Sequence, residues 1–215
     1  MPEYFSLILS IKKKDRYEHL FEDFVDRLQK TGFVFKSGYW GAEKETLEDI
    51  AAWNSKKLSA DYELSYDEHY SKGYKQICWD YHGFSEVRLF IVNSKDEEAF
   101  SFEIIIPESE FVKFRKKRAI YDPQIIDDLK KLACELWQWN CISAIQTALE
   151  LSDGDISVEE MENGKCPSAE PFAIIPESFL KESCLEGFEV MHIDRDGILI
   201  EEKNVAIKSE SNKGS

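Results

Sequence analysis

A chain of 215 residues with 43% hydrophobic and 13% aromatic residues is long and apolar enough to bury a core of its own. Its 42 acidic and 27 basic residues give a net charge of −15, which disfavours nucleic acid as a partner. No apolar stretch reaches the roughly 18 uncharged residues of a membrane span, so no membrane association is expected. The start, Met-Pro-Glu-Tyr, does not resemble a signal peptide, and we expect a cytoplasmic protein.

The chain opens with a strand, a helix and a second strand. Residues 4–11 are a compact apolar run that ends at three lysines, which is typical of a buried strand. Residues 15–30 carry one apolar face opposite a charged face, and Gly32 follows as a stop, so they predict an amphipathic helix. Residues 33–40 predict the second strand, parallel to the first if both share a sheet.

The next stretch mixes aromatic and acidic residues. We predict a helix over 43–57 and a loop after it. Between 61 and 70, acidic residues alternate with tyrosines, a composition suited to binding a protein partner. The alternative is a solvated strand whose tyrosines pack inward.

Three strands then follow, at 75–81, 86–92 and 99–106, and their turns predict an antiparallel meander. The basic run 113–118 is interpreted as a short helix or loop with a solvated face.

A long helix is predicted over 122–151, and we expect it to be the central packing element. Asp122 and Pro123 form a strong helix start, and apolar residues recur at helical spacing up to Leu149. Its length of roughly 45 Å would exceed what a domain of this size covers easily, so a break near Asn140 stays open.

The last quarter predicts a strand at 172–175, a short helix at 177–184 and a hairpin of 188–193 with 198–202. Residues 1–203 are expected to form a single α+β domain, with 155–203 as an alternative C-terminal sub-region, and 204–215 a disordered tail. The fold class is therefore α+β: a mixed, mainly antiparallel sheet packed against the N-terminal amphipathic helix and the long central helix. Residues 105–109 and 174–178 share the letters IIPES, which convergence explains better than duplication.

Charge is unevenly spread along the chain. Residues 150–202 hold 15 acidic and three basic side chains, whereas residues 111–131 hold seven basic and three acidic ones. Such a field attracts a basic partner. The alternative interpretation is that the acidity serves only solubility. The candidate partner-binding residues are Asp61, Glu63, Asp67, Glu68, Asp153, Asp155, Glu159 and Glu160.

The sequence offers no catalytic, cofactor or metal motif. Glycine-rich phosphate loops, paired metal-ligand spacing and a G-x-S-x-G serine are all missing from it. Two acidic turns do not match the calcium-loop pattern. Cys78 and His82 are close in sequence, which does not imply that they face each other. The five cysteines, at 78, 134, 141, 166 and 184, are interpreted as reduced thiols. We therefore predict no catalytic residue, no metal and no cofactor.

The chain resembles the bacterial immunity proteins of polymorphic toxin and contact-dependent inhibition systems. The features that carry this likeness are the first strand, the helix after it, the aromatic-rich meander over 77–106 and the acidic last quarter. The resemblance contains no diagnostic motif, so no functional residue is carried over. It implies inhibition by binding a basic toxin domain, often a nuclease.

The sequence thus predicts a non-catalytic acidic protein that binds and neutralises a cationic partner. Two alternatives stay open: a small cytoplasmic enzyme of unrecognised type, and a general protein-interaction domain. The oligomeric state is left open.

Overall fold

A nine-stranded sheet organises the computed structural model of the protein, which describes residues 3–64, 68–116, 118–152, 154–184 and 186–203. The strands are β1 (Tyr4–Lys12), β2 (Val34–Tyr39), β3 (Gln76–Asp80), β4 (Val87–Asn93), β5 (Ala99–Pro107), β6 (Val112–Arg115), β7 (Arg118–Tyr121), β8 (Ile142–Leu149), β9 (Phe172–Pro176), β10 (Phe188–Ile193) and β11 (Gly197–Glu202). The large sheet has the order β10-β11-β9-β8-β1-β5-β4-β3-β2, and β6 and β7 form a separate pair.

Neighbouring strands of the large sheet pair antiparallel throughout, with β1 in the middle between β5 and β8. This confirms the predicted α+β class with a mainly antiparallel sheet. The predicted meander is β3-β4-β5. Four antiparallel steps separate β1 from β2, so the two strands point in the same direction, as the sequence predicted.

Helices cover one side of the sheet, which we call the helix face. They are α1 (Leu20–Lys30), α2 (Leu47–Ser59) and α3 (Pro123–Trp137), whereas the short α4 (Val158–Glu162) lies on the opposite side. The apolar stripe of α1 is fully buried, and its Phe24 stacks on Phe102 of β5 with ring centroids 4.5 Å apart. Burying each such ring contributes about 2 kcal/mol, so the amphipathic pattern is sufficient reason for this docking.

The second half of the predicted central helix is wrong. The start is correct, since the Asp122 side chain accepts bonds from the first turn of α3, but the helix ends at Trp137 and residues 142–149 form β8. This strand is buried on both faces between β1 and β9. A continuous apolar run in such a place carries no period of two, so periodicity alone does not separate it from a buried helix.

Gln146 shows the consequence for one residue. It is one of the polar residues within the predicted helix over 122–151, and it is fully buried on β8. Its amide donates to the Ile156 carbonyl at 2.8 Å and accepts from the Ile156 N–H at 3.1 Å. Gln146 therefore fixes the segment that leads into α4.

The basic run is neither a helix nor a loop. It forms the β6–β7 hairpin, in which Val112 pairs with Tyr121 and Arg115 with Arg118. Phe114 is 56% exposed on it. The charged residues of this run interrupt the alternation of apolar and polar residues that would predict a strand.

The expectation of five reduced cysteines is wrong for two of them. Cys166 and Cys184 form a disulfide, whereas Cys78, Cys134 and Cys141 are free thiols. Cys166 and Cys184 are 18 residues apart in the sequence, and this spacing does not by itself indicate a disulfide. The predicted helix over 177–184 is reduced to two 3-10 turns, Glu177–Phe179 and Glu182–Cys184.

The repeated IIPES segments share a local shape but not a place in the packing. Each ends a strand at proline and continues into a 3-10 turn. Ile106, however, belongs to the core under the helix face, whereas the matching Ile175 belongs to the smaller core on the other side. Matching residues that face opposite sides of the sheet favour local convergence over a duplicated unit.

The side of the sheet away from α1–α3, which we call the open face, is only partly covered. The part of the open face formed by β8, β9 and β11 packs against α4 in a small core that includes Val158, Met161, Ile198 and Ile200. Over β3–β5 the residues of this face include exposed or half-buried polar and aromatic side chains. The candidate site lies here. Among the described residues no helix has the length and apolarity to cross a bilayer. The tail predicted at 204–215 lies outside the described residues.

Candidate functional site

An aromatic cleft of about 520 Å³ opens at the β2 side of the sheet. The loop after β2, the α2 helix, the segment before β3 and the end of β4 form its walls. Its aromatic side chains are Tyr39, Trp40, Trp53, Tyr70, Tyr74 and Phe90. A volume of this size falls within the range of binding sites in proteins, roughly 300–1,000 Å³.

Trp40 and Tyr70 stand at the mouth of the aromatic cleft. Their rings stack with centroids 5.1 Å apart and an interplanar angle of 15°. Trp40 is 63% exposed and Tyr70 is 44% exposed. Trp40 also has a φ of +49°, the left-handed region that a bulky residue rarely adopts. An exposed tryptophan held in a costly backbone conformation is a feature of binding sites rather than of packing.

Hydrogen bonds fix the wall that contains Trp53. Its indole N–H donates to the Gly73 carbonyl at 2.9 Å, and the Lys75 ammonium lies 4.3 Å from its ring centroid. The fully buried Asn54 pairs with the backbone of Lys75 through two bonds of 2.8 Å. The helix α2 therefore holds the start of β3 in place, and the cleft is built before any partner arrives.

An acidic groove of about 200 Å³ lies beside the aromatic cleft on the open face. Its carboxylates are Glu97, Glu103, Asp155 and Glu160. Val92, 45% exposed, lines both the groove and the aromatic cleft, so the two sites form one continuous surface.

Glu103 lies deepest among these carboxylates. Burial, reinforced by the charge of Asp155, raises its pKa from 4.5 to about 7, against the lowering effect of the bond that Ser101 donates at 3.0 Å. No lysine or arginine forms an ion pair with it among the described residues. A cation that reached the groove would relieve this cost.

The residues predicted around position 61 divide into two roles. Glu63 lines the aromatic cleft, and Glu68 accepts a bond from the Tyr62 hydroxyl at 2.8 Å. Asp61 instead forms ion pairs with Lys13 at 3.2 Å and Arg16 at 3.1 Å. The predicted Asp67 lies outside the described residues.

Contacts within the chain compensate the negative charge of Asp61. Burial alone would raise its pKa, but the hydrogen bonds from Asn93 and Lys13 and the charges of Lys13 and Arg16 lower it overall. We assign Asp61 to holding the loop before β3 against the end of β4.

The residues predicted around position 155 lie at the acidic groove and next to it. Asp155 and Glu160 line the groove, and Glu159 lines the adjoining depression with Asp96, Glu97 and Glu98. Glu160 also closes a capping box with Ser157, which fixes the first turn of α4. The predicted Asp153 lies outside the described residues. The turn before β5 and the start of α4 thus form one mainly negative surface, which Lys12 and Lys14 border and in which Glu160 is paired with Lys165.

The structure does not bring together the pair that might have indicated a nucleophile. Cys78 of β3 lies on the open face and accepts from Ser37, and burial raises the pKa of its thiol. His82 lies 3.8 Å from Asp128 of α3, a helix of the helix face. Burial raises the pKa of Cys141 to about 12 and also raises that of Cys134. In the parts of the chain that the structure describes, no three His, Cys, Asp or Glu side chains form a group that could hold a metal ion.

Sequence reasoning missed Trp40, Val92 and Glu97. Trp40 was assigned to the end of a strand, although the glycine after it signalled a turn. Val92 lies at the end of a strand and Glu97 lies in a turn. Whether they lie close to residues 155–160 depends on the order of the strands in the sheet. That order is not readable from local patterns.

Comparison with known proteins adds one distant likeness. No family model matches the chain, and no curated protein matches it significantly. Among solved structures the chain is similar to "Pseudomonas aeruginosa T6SS protein PA0821", at a TM-score of 0.43 and 11% identity. The match covers 93% of this chain and 65% of that one, so the chain spans less than two thirds of that protein. A likeness at this level carries no argument about function.

Proposed function

We propose that this protein binds a basic protein partner across the aromatic cleft and the acidic groove, and neutralises that partner by covering it. The observation that carries the proposal is the exposed Trp40–Tyr70 stack, which continues through Val92 into a groove of carboxylates. Exposed tryptophan and tyrosine are the residues most often found at interface hot spots.

The two parts of the surface suit different groups of the partner. The aromatic cleft suits an apolar side chain or the flat face of an arginine, which gains from stacking on an aromatic ring. The acidic groove suits a lysine or arginine head group that would pair with Glu103 or Asp155. The net charge of −15 speeds the approach of a basic partner more than it strengthens the complex.

Within this proposal the partner is a bacterial toxin domain, and a nuclease is one such domain. Support comes from the acidic surface and from the resemblance to immunity proteins described above. Nucleases bind polyanionic substrates through cationic surfaces, so an acidic protein seated there would block the substrate.

Titration calorimetry tests the proposal with a basic toxin domain, and any such domain encoded next to the gene of this protein is the first to test. We expect Trp40→Ala to weaken binding about tenfold or more, as hot-spot residues do. The double variant Glu97→Lys/Asp155→Lys should weaken it by a similar factor through charge repulsion.

A charge-matched control separates local from long-range effects. Glu18→Lys/Glu48→Lys changes the net charge equally at exposed positions on α2 and before α1. It should weaken binding less than about threefold in physiological salt, where separated surface charges are screened. Equal losses in both double variants, or full binding by Trp40→Ala, would refute the surface we propose.

The volume of the aromatic cleft is sufficient for a small molecule, so the alternative that this protein is an enzyme can also be tested. A small molecule retained through purification, and released by Trp40→Ala, would favour a ligand-binding or catalytic role. Mass spectrometry of the denatured protein detects it.

The cytoplasmic location stays a proposal. The Cys166–Cys184 disulfide counts against it, because disulfides are rare in that compartment. An oxidising compartment would preserve the bond found in the structure. Alkylation of thiols in intact cells, followed by peptide mass spectrometry, distinguishes the two.

A further inference from the structure

The two edges of the nine-stranded sheet differ in how they are protected. At β2 the register shifts between Phe35 and Ser37, and Gly38 packs against Ala42 so closely that a Cβ would overlap it. A bulge and a covering loop are devices that prevent another strand from pairing with an edge. At β10 the register with β11 is continuous from Phe188 to Ile193, without proline or lysine. Only β2 is blunted.

The hydrogen bonds of β11 show which groups of β10 point outward. The N–H of Glu202 donates to Pro171, on the β9 side, and the N–H of Lys203 donates to Gly187, on the β10 side. Backbone groups alternate between the two sides of a strand in an antiparallel sheet. Glu189, Met191 and Ile193 therefore bond to β11, whereas the N–H and C=O groups of Phe188, Val190 and His192 point to the free edge.

The side chains of this edge are accessible and flanked by negative charge. Val190 is 36% exposed and Met191 is 60% exposed. Residues 186–203 contain six acidic and two basic side chains, and one of the acidic ones, Glu201, is paired with Lys130 of α3. One of the two basic residues, Arg195, is engaged with backbone carbonyls at the end of α3.

We propose that the β10 edge is a second binding site, which takes an extended basic segment of a partner protein as a tenth strand. Backbone bonds to Val190 and His192 supply the pairing, and lysine or arginine side chains of the added strand meet the acidic surroundings. A second copy of this chain fits less well, because each copy carries a charge of −15. This site is separate from the aromatic cleft and the acidic groove.

The test uses a fluorescent ten-residue peptide that alternates lysine with valine and threonine, titrated into the full chain. A peptide of the same composition whose edge-facing amides are N-methylated is the matched control, because it keeps the charge and loses the donors. We expect the methylated peptide to bind at least tenfold more weakly. Equal binding of the two peptides would overturn the proposal.

Two variants of the protein test the same edge by changing the protein instead of the peptide. Val190→Pro removes an outward N–H and leaves the bonds of β10 to β11, whereas Val190→Thr keeps the N–H and the branched shape. The proline variant should lose at least tenfold in affinity, and the threonine variant less than threefold. If Val190→Pro does not fold, the two peptides still decide the question.

Hydrogen exchange identifies the occupant. We expect the amides of Val190 and His192 to exchange rapidly in the free chain and to become protected when the unmodified peptide binds. Slow exchange in the free chain that depends on protein concentration would show a second copy at the edge, and concentration-independent slow exchange would show cover from within the chain. Either result would overturn the assignment to a partner strand.

Discussion

Two tryptophans of this protein have opposite roles. Trp137 at the end of α3 is 1% exposed, and its indole N–H donates to the Asp194 carbonyl at 3.0 Å. The Arg195 guanidinium lies 4.6 Å from its ring centroid, and a Cβ on Gly197 would lie 2.8 Å from its Cε2. Trp40 is 63% exposed and its backbone is in the left-handed region.

The difference shows where the fold needs its aromatic residues and where it does not. Every polar and apolar part of Trp137 has a partner within the chain, so its role is structural. Trp40 stacks on Tyr70 and leaves 63% of its surface exposed, and its backbone conformation opposes folding. A large apolar surface that the fold does not use is available to a partner.

The largest effect on stability is expected at the buried tryptophan. Trp137→Ala should lower the free energy of unfolding by about 4 kcal/mol, because it leaves a cavity and removes the partner of Asp194. Urea denaturation at pH 7 measures the change. A loss below about 1 kcal/mol would show that the β10–β11 hairpin does not depend on this ring.

Arg195 should come second. Its guanidinium donates to carbonyls at and just beyond the end of α3, those of Trp137, Trp139 (2.9 Å), Asn140 (3.3 Å) and Ile142 (3.4 Å). Arg195→Ala should cost about 3 kcal/mol, since these acceptors lose charged donors. Arg195→Lys restores the charge but not the fork of donors, and we expect it to recover less than half of the loss in the same urea experiment.

Glu103 should make stability depend on pH. Its pKa is higher in the folded chain, about 7 against 4.5, so its contribution is fully present below pH 4.5 and is lost as the pH rises through 7. Glu103→Gln should match the parent protein near pH 4.5 and exceed its free energy of unfolding by about 2 kcal/mol at pH 8. Denaturation at a series of pH values measures this difference. A constant difference across the range would contradict the burial of an unpaired carboxylate.

The smallest effect on stability is expected at the exposed tryptophan. Trp40→Gly relieves the left-handed backbone, worth about 1 kcal/mol, and loses a ring stack of similar size. The free energy of unfolding should therefore stay within about 1 kcal/mol of the parent. A large loss would move Trp40 to the structural class of Trp137 and weaken the case for a binding role.

The sequence predicted those elements that clear stops bound or that have one apolar and one polar side. The strand β1, the helix α1 and the β3–β5 meander follow from apolar runs and amphipathic faces bounded by clear stops. The strand β8 was mistaken for helix because it is buried on both faces, and β6–β7 was missed because its charges hide the alternation. The local pattern therefore identifies an element where clear stops bound it or where one of its sides faces solvent.

Charge along the sequence identified some residues of the candidate site. Glu63, Asp155 and Glu160 were chosen for charge alone, and the structure places them along one continuous surface. Asp61 had the same charge signal but is held by Lys13, and Glu160 is paired with Lys165 although it lines the groove. Sequence cannot separate a free carboxylate from a paired one, because the pairing joins residues far apart in the chain.

Oxidative footprinting of the complex tests the central claim most directly. Hydroxyl radicals modify exposed aromatic side chains, and Tyr17, 40% exposed and outside the aromatic cleft, serves as an internal reference. With the proposed basic partner bound at saturation, we predict that Trp40 and Tyr70 lose most of their reactivity while Tyr17 keeps its own. Unchanged modification of Trp40 in a fully formed complex would contradict the account.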